Sequence, residues 1–209
     1  MNKKTLLLLA ICGLVTLMVL VICVSWFVNR RVSVRAYDTQ PVTGTVYTIV
    51  NRHSNEFLEV YNDVRQDSAF VDQRSANGCA CQYWAFCSVD SSLQSNAFYL
   101  YNVGTSGEGT NYVLHVPYAS TIPQMILEQY HQVSGDLSEE WQITIAQDNG
   151  QSNGYVYLQN VNSHLVADDY LFSKDDMSAV IQWSFNVGGT DNQQWQLRPV
   201  PGASPFACP

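Results

Sequence analysis

The 209-residue sequence predicts an all-β domain of three repeats that follows one N-terminal transmembrane helix. Residues 5–28 contain no charged side chain, and after them no window keeps the 3.6-residue periodicity of an amphipathic helix. In the rest of the chain, short aliphatic and aromatic runs alternate with turn formers such as Asn77-Gly78, Asn149-Gly150 and Gly188-Gly189. These runs predict short strands.

Residues 5–28 are long enough for a helix to cross the roughly 30 Å hydrocarbon core of a bilayer. A cleaved signal peptide is the main alternative, but its apolar region usually runs about 7 to 15 residues. A buried core helix suits this length less well. We therefore predict a cytoplasmic stub and an uncleaved signal anchor in residues 1–31, followed by a tether over residues 32–43.

Orientation in the membrane is less defined, because basic residues lie on both sides of the span and the positive-inside rule does not decide between them. The simpler topology for an N-terminal anchor places the folded C-terminal domain outside. The expected location is therefore a cellular or viral membrane, crossed once, with the domain in the extracellular or lumenal space.

Charge divides the chain into two unlike parts. The net charge is −8 overall, but residues 1–35 carry five basic residues and no acidic one, while residues 36–209 carry five basic and all 18 acidic residues. An acidic domain with so few cations cannot form the basic surface that nucleic-acid binding requires. Nucleic acid is therefore excluded as an expected partner.

The part after the anchor contains a threefold internal repeat, defined by three landmarks in a fixed order. Each repeat opens on a run that ends in asparagine, at Asn51, Asn102 and Asn160. Each then has a glutamine two residues after an aliphatic residue, at Gln73, Gln129 and Gln182. Each closes on a tryptophan, at Trp84, Trp141 and Trp195. Since one unit cannot bury its own apolar face, about four strands per unit predict a closed all-β body.

We place the three repeats at residues 44–92, 93–148 and 149–199, with a C-terminal tail over 200–209. The thrice-repeated ending in Gln-x-Trp resembles the ricin B-chain type lectins, and residues 179–197, AVIQWSFNVGGTDNQQWQL, are especially similar to the closing repeat of fungal members. The resemblance covers about residues 43–199 and implies a β-trefoil fold with carbohydrate-binding activity. The middle copy departs from the motif, because Glu139 replaces its glutamine.

The resemblance implies a sugar pocket in each repeat, made of an acidic residue, an aromatic platform and an Asn-Gln pair. The third repeat has all four elements, at Asp168, Trp183, Asn192 and Gln193. A carboxylate can accept hydrogen bonds from two hydroxyls, an amide can donate and accept, and an indole can cover the apolar face of a sugar ring. Two alternatives stay open: these residues are scaffold, or the register shifts by one to Asp169.

The other two pockets match less well and are weaker candidates, with a scaffold role as the default. The second repeat has His115, Tyr130, Ser138 and Glu139 at the four positions. The first repeat has Glu59, Arg74, Cys81 and Gln82 and so lacks the aromatic platform. In all three repeats the platform position lies 15 residues after the acid position, which supports the assignment of these positions as equivalent. The departures put galactose, the ligand of many relatives, in doubt.

The predicted function is that of a membrane-anchored lectin, with glycans or glycoproteins as partners and galactose-type sugars among the ligands considered. The alternative is a protein-binding trefoil, such as a protease inhibitor or a receptor-binding module, with no sugar activity. A former enzyme without its catalytic part ranks third. The sequence has no HExxH or GxSxG motif and no phosphate-binding glycine loop, so we expect neither catalysis nor a cofactor.

Four cysteines lie outside the predicted span, at Cys79, Cys81, Cys87 and Cys208. They are disulfide candidates in an oxidising compartment, and four cysteines allow three pairings, between which the sequence does not choose. Reduced thiols are the alternative. Their spacing lacks the pattern of a zinc finger, so we expect no metal site.

Overall fold

The computed structural model describes residues 39–89, 96–107 and 109–209. The predicted membrane span over residues 5–28 lies outside these ranges. Among the residues described, no helix is long and apolar enough to cross a membrane. The signal anchor therefore stays a prediction from the sequence.

Each repeat contributes four strands. The first repeat forms β1 (Val46–Asn51), β2 (Phe57–Val60), β3 (Ala69–Arg74) and β4 (Tyr83–Ser88). The second forms β5 (Ala97–Asn102), β6 (Tyr112–His115), β7 (Glu128–His131) and β8 (Glu140–Asp148). The third forms β9 (Gln151–Asn160), β10 (Val166–Asp169), β11 (Ser178–Trp183) and β12 (Trp195–Pro199). The described helices are short 3₁₀ turns at Tyr61–Asp63, Ala80–Gln82, Pro117–Ala119, Leu137–Glu139, Tyr170–Phe172 and Asp191–Gln193.

All strand pairs are antiparallel, and six strands close into a barrel. Strand β1 pairs with β4, β4 with β5, β5 with β8, β8 with β9, β9 with β12, and β12 returns to β1. The remaining strands form the hairpins β2–β3, β6–β7 and β10–β11, which pair with one another across one end. This is a β-trefoil, and the predicted closed all-β body with four strands per repeat is confirmed.

The tryptophan landmarks hold each hairpin to the barrel. The three indoles are fully buried, and each Nε1 donates a hydrogen bond to a backbone carbonyl of the hairpin in its own repeat. The acceptors are the carbonyls of Leu58, Leu114 and Ala167, at 2.9, 2.9 and 3.1 Å. Because the contact is identical in every repeat, the tryptophans report the fold and do not mark a binding site.

The asparagine landmarks connect one repeat to the next. Asn51, Asn102 and Asn160 donate from Nδ2 to the carbonyls of Asn192, Cys81 and Ser138, at 2.8 to 2.9 Å. Each accepts at Oδ1 from amides two and three residues ahead, which fixes the following turn. These side chains are buried, so each satisfies its own hydrogen-bonding groups and those of the backbone.

Two disulfides lie in the described part of the chain. Cys79 bonds to Cys81, and Cys87 in β4 bonds to Cys208 in the C-terminal tail. Two residues before Cys208, the ring of Phe206 stacks on Tyr101 with centroids 5.3 Å apart. The tail is thereby held against the second repeat.

Candidate functional site

The hairpins place the acid and the platform position of each repeat side by side. In β10–β11, Val166 pairs with Trp183 and Asp168 pairs with Ile181. Because side chains alternate along a strand, these four lie on one face of the hairpin. The same pairings put Glu59 beside Arg74 and His115 beside Tyr130. The structure therefore brings together the acid and platform positions that lie 15 residues apart in each repeat.

In the third repeat the Asp168 carboxylate is held from both sides. Its Oδ1 accepts from Nδ2 of Asn192 at 2.9 Å, and its Oδ2 accepts from Nε2 of Gln193 at 2.8 Å. Burial, with only 4% of the side chain exposed, raises the pKa of Asp168 to about 6, although both amide hydrogen bonds act in the opposite direction. The carboxylate is ionised at neutral pH and has a fixed orientation.

A cavity of about 180 Å³ opens over this carboxylate. Its walls include Asp168, Trp183, Asn186 and Asn192. Asn192 lines the cavity and also donates from Nδ2 to the Asp168 carboxylate, so it fixes the acid within the wall. The cavity therefore combines a charged acceptor, an amide side chain and an aromatic wall.

Gln193 lies behind the cavity and supports the Asp168 carboxylate. It is fully buried, and its amide also donates to the carbonyl of Ser184 and accepts from the amide of Asn186. It holds the Asp168 carboxylate in place and does not line the cavity. Of the four predicted residues, three face the cavity and Gln193 lies behind them.

The acid of the first repeat is already paired. Glu59 is 1% exposed, and its Oε1 lies 3.3 Å from the guanidinium of Arg74. Its Oε2 accepts from the amides of Asn77 and Gln82, both at 2.8 Å. Cys81 takes part in the disulfide with Cys79 and offers no amide. Arginine thus occupies the place of a platform and neutralises the acid beneath it.

The second repeat has no carboxylate at the acid position. His115 lies there, with Nδ1 2.9 Å from Oε1 of Glu128 and its ring 5.1 Å from that of Tyr130. Glu139 is fully buried and accepts from the amide of Val133, and burial raises its pKa to about 8. Ser138 is buried as well and donates to Asp136. This repeat keeps a possible stacking ring without the polar set of the third.

Residues 29–130 and 137–204 match the family described as ricin-type β-trefoil lectin domain-like. The chain belongs to this family. The designed threefold-symmetric protein ThreeFoil is 32% identical, over 74% of this chain and 99% of its own, with a TM-score of 0.62. A search of curated proteins found no match.

Two natural proteins of known structure contain a similar domain. An exo-β-1,3-galactanase of Clostridium thermocellum is 27% identical with a TM-score of 0.63, over 77% of this chain and 31% of the enzyme. The ricin B-like lectin of Macrolepiota procera, solved in complex with lactose, is 14% identical with a TM-score of 0.59, over 77% of this chain and 99% of its own. At this identity, the likeness to the Macrolepiota procera lectin is one of fold alone.

Sequence reasoning missed part of the wall of the cavity over Asp168, the turn Tyr170–Phe172. Leu171 and Phe172 have φ of 58° and 54°, a backbone region that bulky residues rarely adopt, and both side chains are exposed. His53 holds the turn, with Nε2 3.0 Å from the carbonyl of Phe172. The signal in the sequence was the run of three large apolar residues, Tyr170 to Phe172, directly after the acidic pair Asp168-Asp169.

Breaking the first-repeat ion pair is expected to lower the stability of the protein. Arg74→Met removes the counter-charge of the buried Glu59 carboxylate, so we expect the free energy of unfolding to fall by about 2 to 4 kcal/mol in urea denaturation. Arg65→Met is the matched control, because Arg65 pairs with Asp63 on the exposed surface and such a pair contributes about 0 to 1 kcal/mol. Equal losses in the two variants would contradict the pairing.

Proposed function

We propose that this chain is a membrane-anchored lectin that binds glycans through the pocket of its third repeat. The observation that carries the proposal is the cavity in which the ionised Asp168 carboxylate, held by Asn192, lies in one wall with the Trp183 indole. Vicinal hydroxyls of a sugar can donate to the carboxylate oxygens while the apolar face of the ring packs on the indole. We propose binding without catalysis, since Asp169 points away from Asp168 and forms no acid pair with it in the pocket.

Galactose-type sugars are the ligands that we propose to test first. The structurally similar galactanase acts on a galactan, and the similar Macrolepiota procera lectin was solved with lactose, which contains galactose. The third repeat has the acid, the aromatic platform and the asparagine of the family pocket, whereas the first and second repeats do not. We therefore propose one sugar site per chain, in the third repeat.

The predicted anchor over residues 5–28 would allow a single weak sugar site per chain to support attachment to a glycan-bearing surface. A dissociation constant near 1 mM corresponds to only about 4 kcal/mol. Many copies in one membrane would raise the effective concentration and allow tight attachment to a surface that carries many glycans. We propose adhesion or glycan recognition, with the domain on the extracellular or lumenal side.

The test uses the full chain, purified in detergent, on a glycan array and in calorimetric titration with galactose and lactose. We expect millimolar or tighter binding, weakened at least about tenfold in Trp183→Ala because an aromatic contact and its buried area are lost. Phe70→Ala is the control, since Phe70 is an exposed aromatic residue outside the pocket. Absence of binding to every glycan, together with capture of a protein that free sugars do not release, would favour the protein-binding alternative.

A further inference from the structure

We propose that a groove beside the third-repeat pocket binds the next sugar of an oligosaccharide, so that the ligand has at least two linked pyranose rings. This inference rests on the proposed sugar-binding function. The groove has a volume of about 410 Å³, more than twice that of the pocket over Asp168. A site of this size next to a single-sugar pocket can hold a further ring.

The groove carries the groups that sugars contact. The rings of Tyr157 and Phe185 meet edge to face with centroids 4.9 Å apart, and 44% of Phe185 is exposed. The side chains of Thr144, Gln147 and Gln159 add a hydroxyl and two amides to the lining. An exposed aromatic ring surrounded by neutral donors and acceptors suits a pyranose, which has an apolar face and a polar edge.

The groove continues from the pocket along the same face of the hairpin. Val166 lines the groove and Asp168 lines the pocket, and the two lie two residues apart on β10, about 6.6 Å along the strand. Trp183, which lines the pocket, pairs directly with Val166, which lines the groove. The consecutive residues Phe185 and Asn186 line the groove and the pocket respectively. The groove and the pocket are therefore lined by neighbouring residues, an arrangement that suits adjacent rings of one oligosaccharide.

A glycine keeps the groove open at its base. Gly189 has φ of +68°, and a Cβ atom built on it would lie 2.1 Å from Oη of Tyr157. Any side chain at this position would displace the tyrosine that forms the wall. The backbone can approach Tyr157 only because residue 189 is glycine.

The second repeat has a space at the equivalent position. Tyr157 and Gln159 precede Asn160 by three and one residues, and Tyr99 and Tyr101 precede Asn102 in the same way. Tyr99 and Tyr101 line a space of about 390 Å³ together with Cys208 of the C-terminal tail. The ring of Phe206, which also belongs to the tail, stacks on Tyr101. The chain's own tail thus contacts this position in the second repeat, and we assign the ligand's second ring to the third.

The experiment compares galactose, β-1,3-galactobiose and β-1,3-galactotriose in calorimetric titrations of the full chain in detergent. We expect both the disaccharide and the trisaccharide to bind about fivefold to tenfold more tightly than galactose, the gain of one aromatic contact. Phe185→Ala should remove that gain and leave the affinity for galactose unchanged. Gln147→Ala, at an exposed strand position, should reduce the gain, and Phe70→Ala should retain it in full.

Two results would overturn this inference while leaving the sugar pocket intact. One is equal affinity of the chain for galactose and for both oligosaccharides. The other is a loss of galactose affinity in Phe185→Ala as large as its loss of oligosaccharide affinity, because the groove and the pocket would then be a single site. Failure of the chain to bind any of the three sugars would instead reject the proposed function, and the inference with it.

Discussion

Replacing Asp168 by asparagine is expected to weaken galactose binding by about 100-fold at pH 7.5, because hydrogen bonds to a charged acceptor contribute about 1.5 to 3 kcal/mol each. The substitution also disturbs the support of the pocket. Asn192 and Gln193 both donate to the carboxylate, and an asparagine at 168 would set one NH₂ group against a donor. Calorimetric titration of the folded variant measures the loss. Asp175→Asn is the control, since Asp175 is acidic, exposed and seven residues further along the chain.

The same residue gives sugar binding a defined pH dependence. Burial raises the pKa of Asp168 from 3.8 to about 6, and the ionised form is the one that accepts from two hydroxyls. Affinity should therefore be constant above pH 7 and fall by up to about tenfold per unit below pH 6. An exposed aspartate would show such a fall only near pH 4. Binding that stays constant down to pH 4.5 would show that the Asp168 carboxylate does not contact the sugar.

The fold could be predicted from the sequence because its most repeated residues make its most repeated contacts. Trp84, Trp141 and Trp195 donate to equivalent carbonyls in the three hairpins, and the asparagine landmarks connect successive repeats in the same way. A side chain that makes the same contact with the backbone in every repeat is present in every repeat of the sequence. The acid and platform positions could be predicted from their constant 15-residue separation, since a two-stranded hairpin fixes which residues are opposite each other.

The role of each side chain in and around the pockets could not be predicted from the sequence, because it depends on contacts that residue spacing does not determine. Whether Gln193 faces a ligand or supports Asp168 depends on the loop from Ser184 to Asn186, which accepts and donates its remaining hydrogen bonds. The pairing of Glu59 with Arg74 follows from the direction of a flexible side chain. The disulfide partners depend on where the C-terminal tail returns to the barrel.

The alternation of side chains along β10 determines which of the adjacent acids Asp168 and Asp169 faces the pocket. Asp169 is fully buried, and its two carboxylate oxygens have no hydrogen-bond partner among the described residues. The hairpin register makes it the counterpart of Val60 and Val116, which belong to the apolar core. Burial, and then the negative charge of Asp168, raise the pKa of Asp169 to about 7. The one-residue shift of the pocket acid left open by the sequence is therefore excluded by geometry, because Asp169 faces the core.

Asp169→Val should stabilise the protein, by about 3 kcal/mol in the free energy of unfolding at pH 8, since it replaces an unpaired buried carboxylate by the residue of the other two repeats. The folded-state pKa of Asp169 lies above the unfolded value of 3.8, so the folded protein binds more protons and loses stability as pH rises from about 4 to 8. The gain from the substitution should accordingly shrink towards pH 5. Urea denaturation of the full chain at both pH values measures it. The matched reverse variant, Val116→Asp, should destabilise by a similar amount, and a destabilising Asp169→Val would mean that this carboxylate has a partner that stabilises its charge.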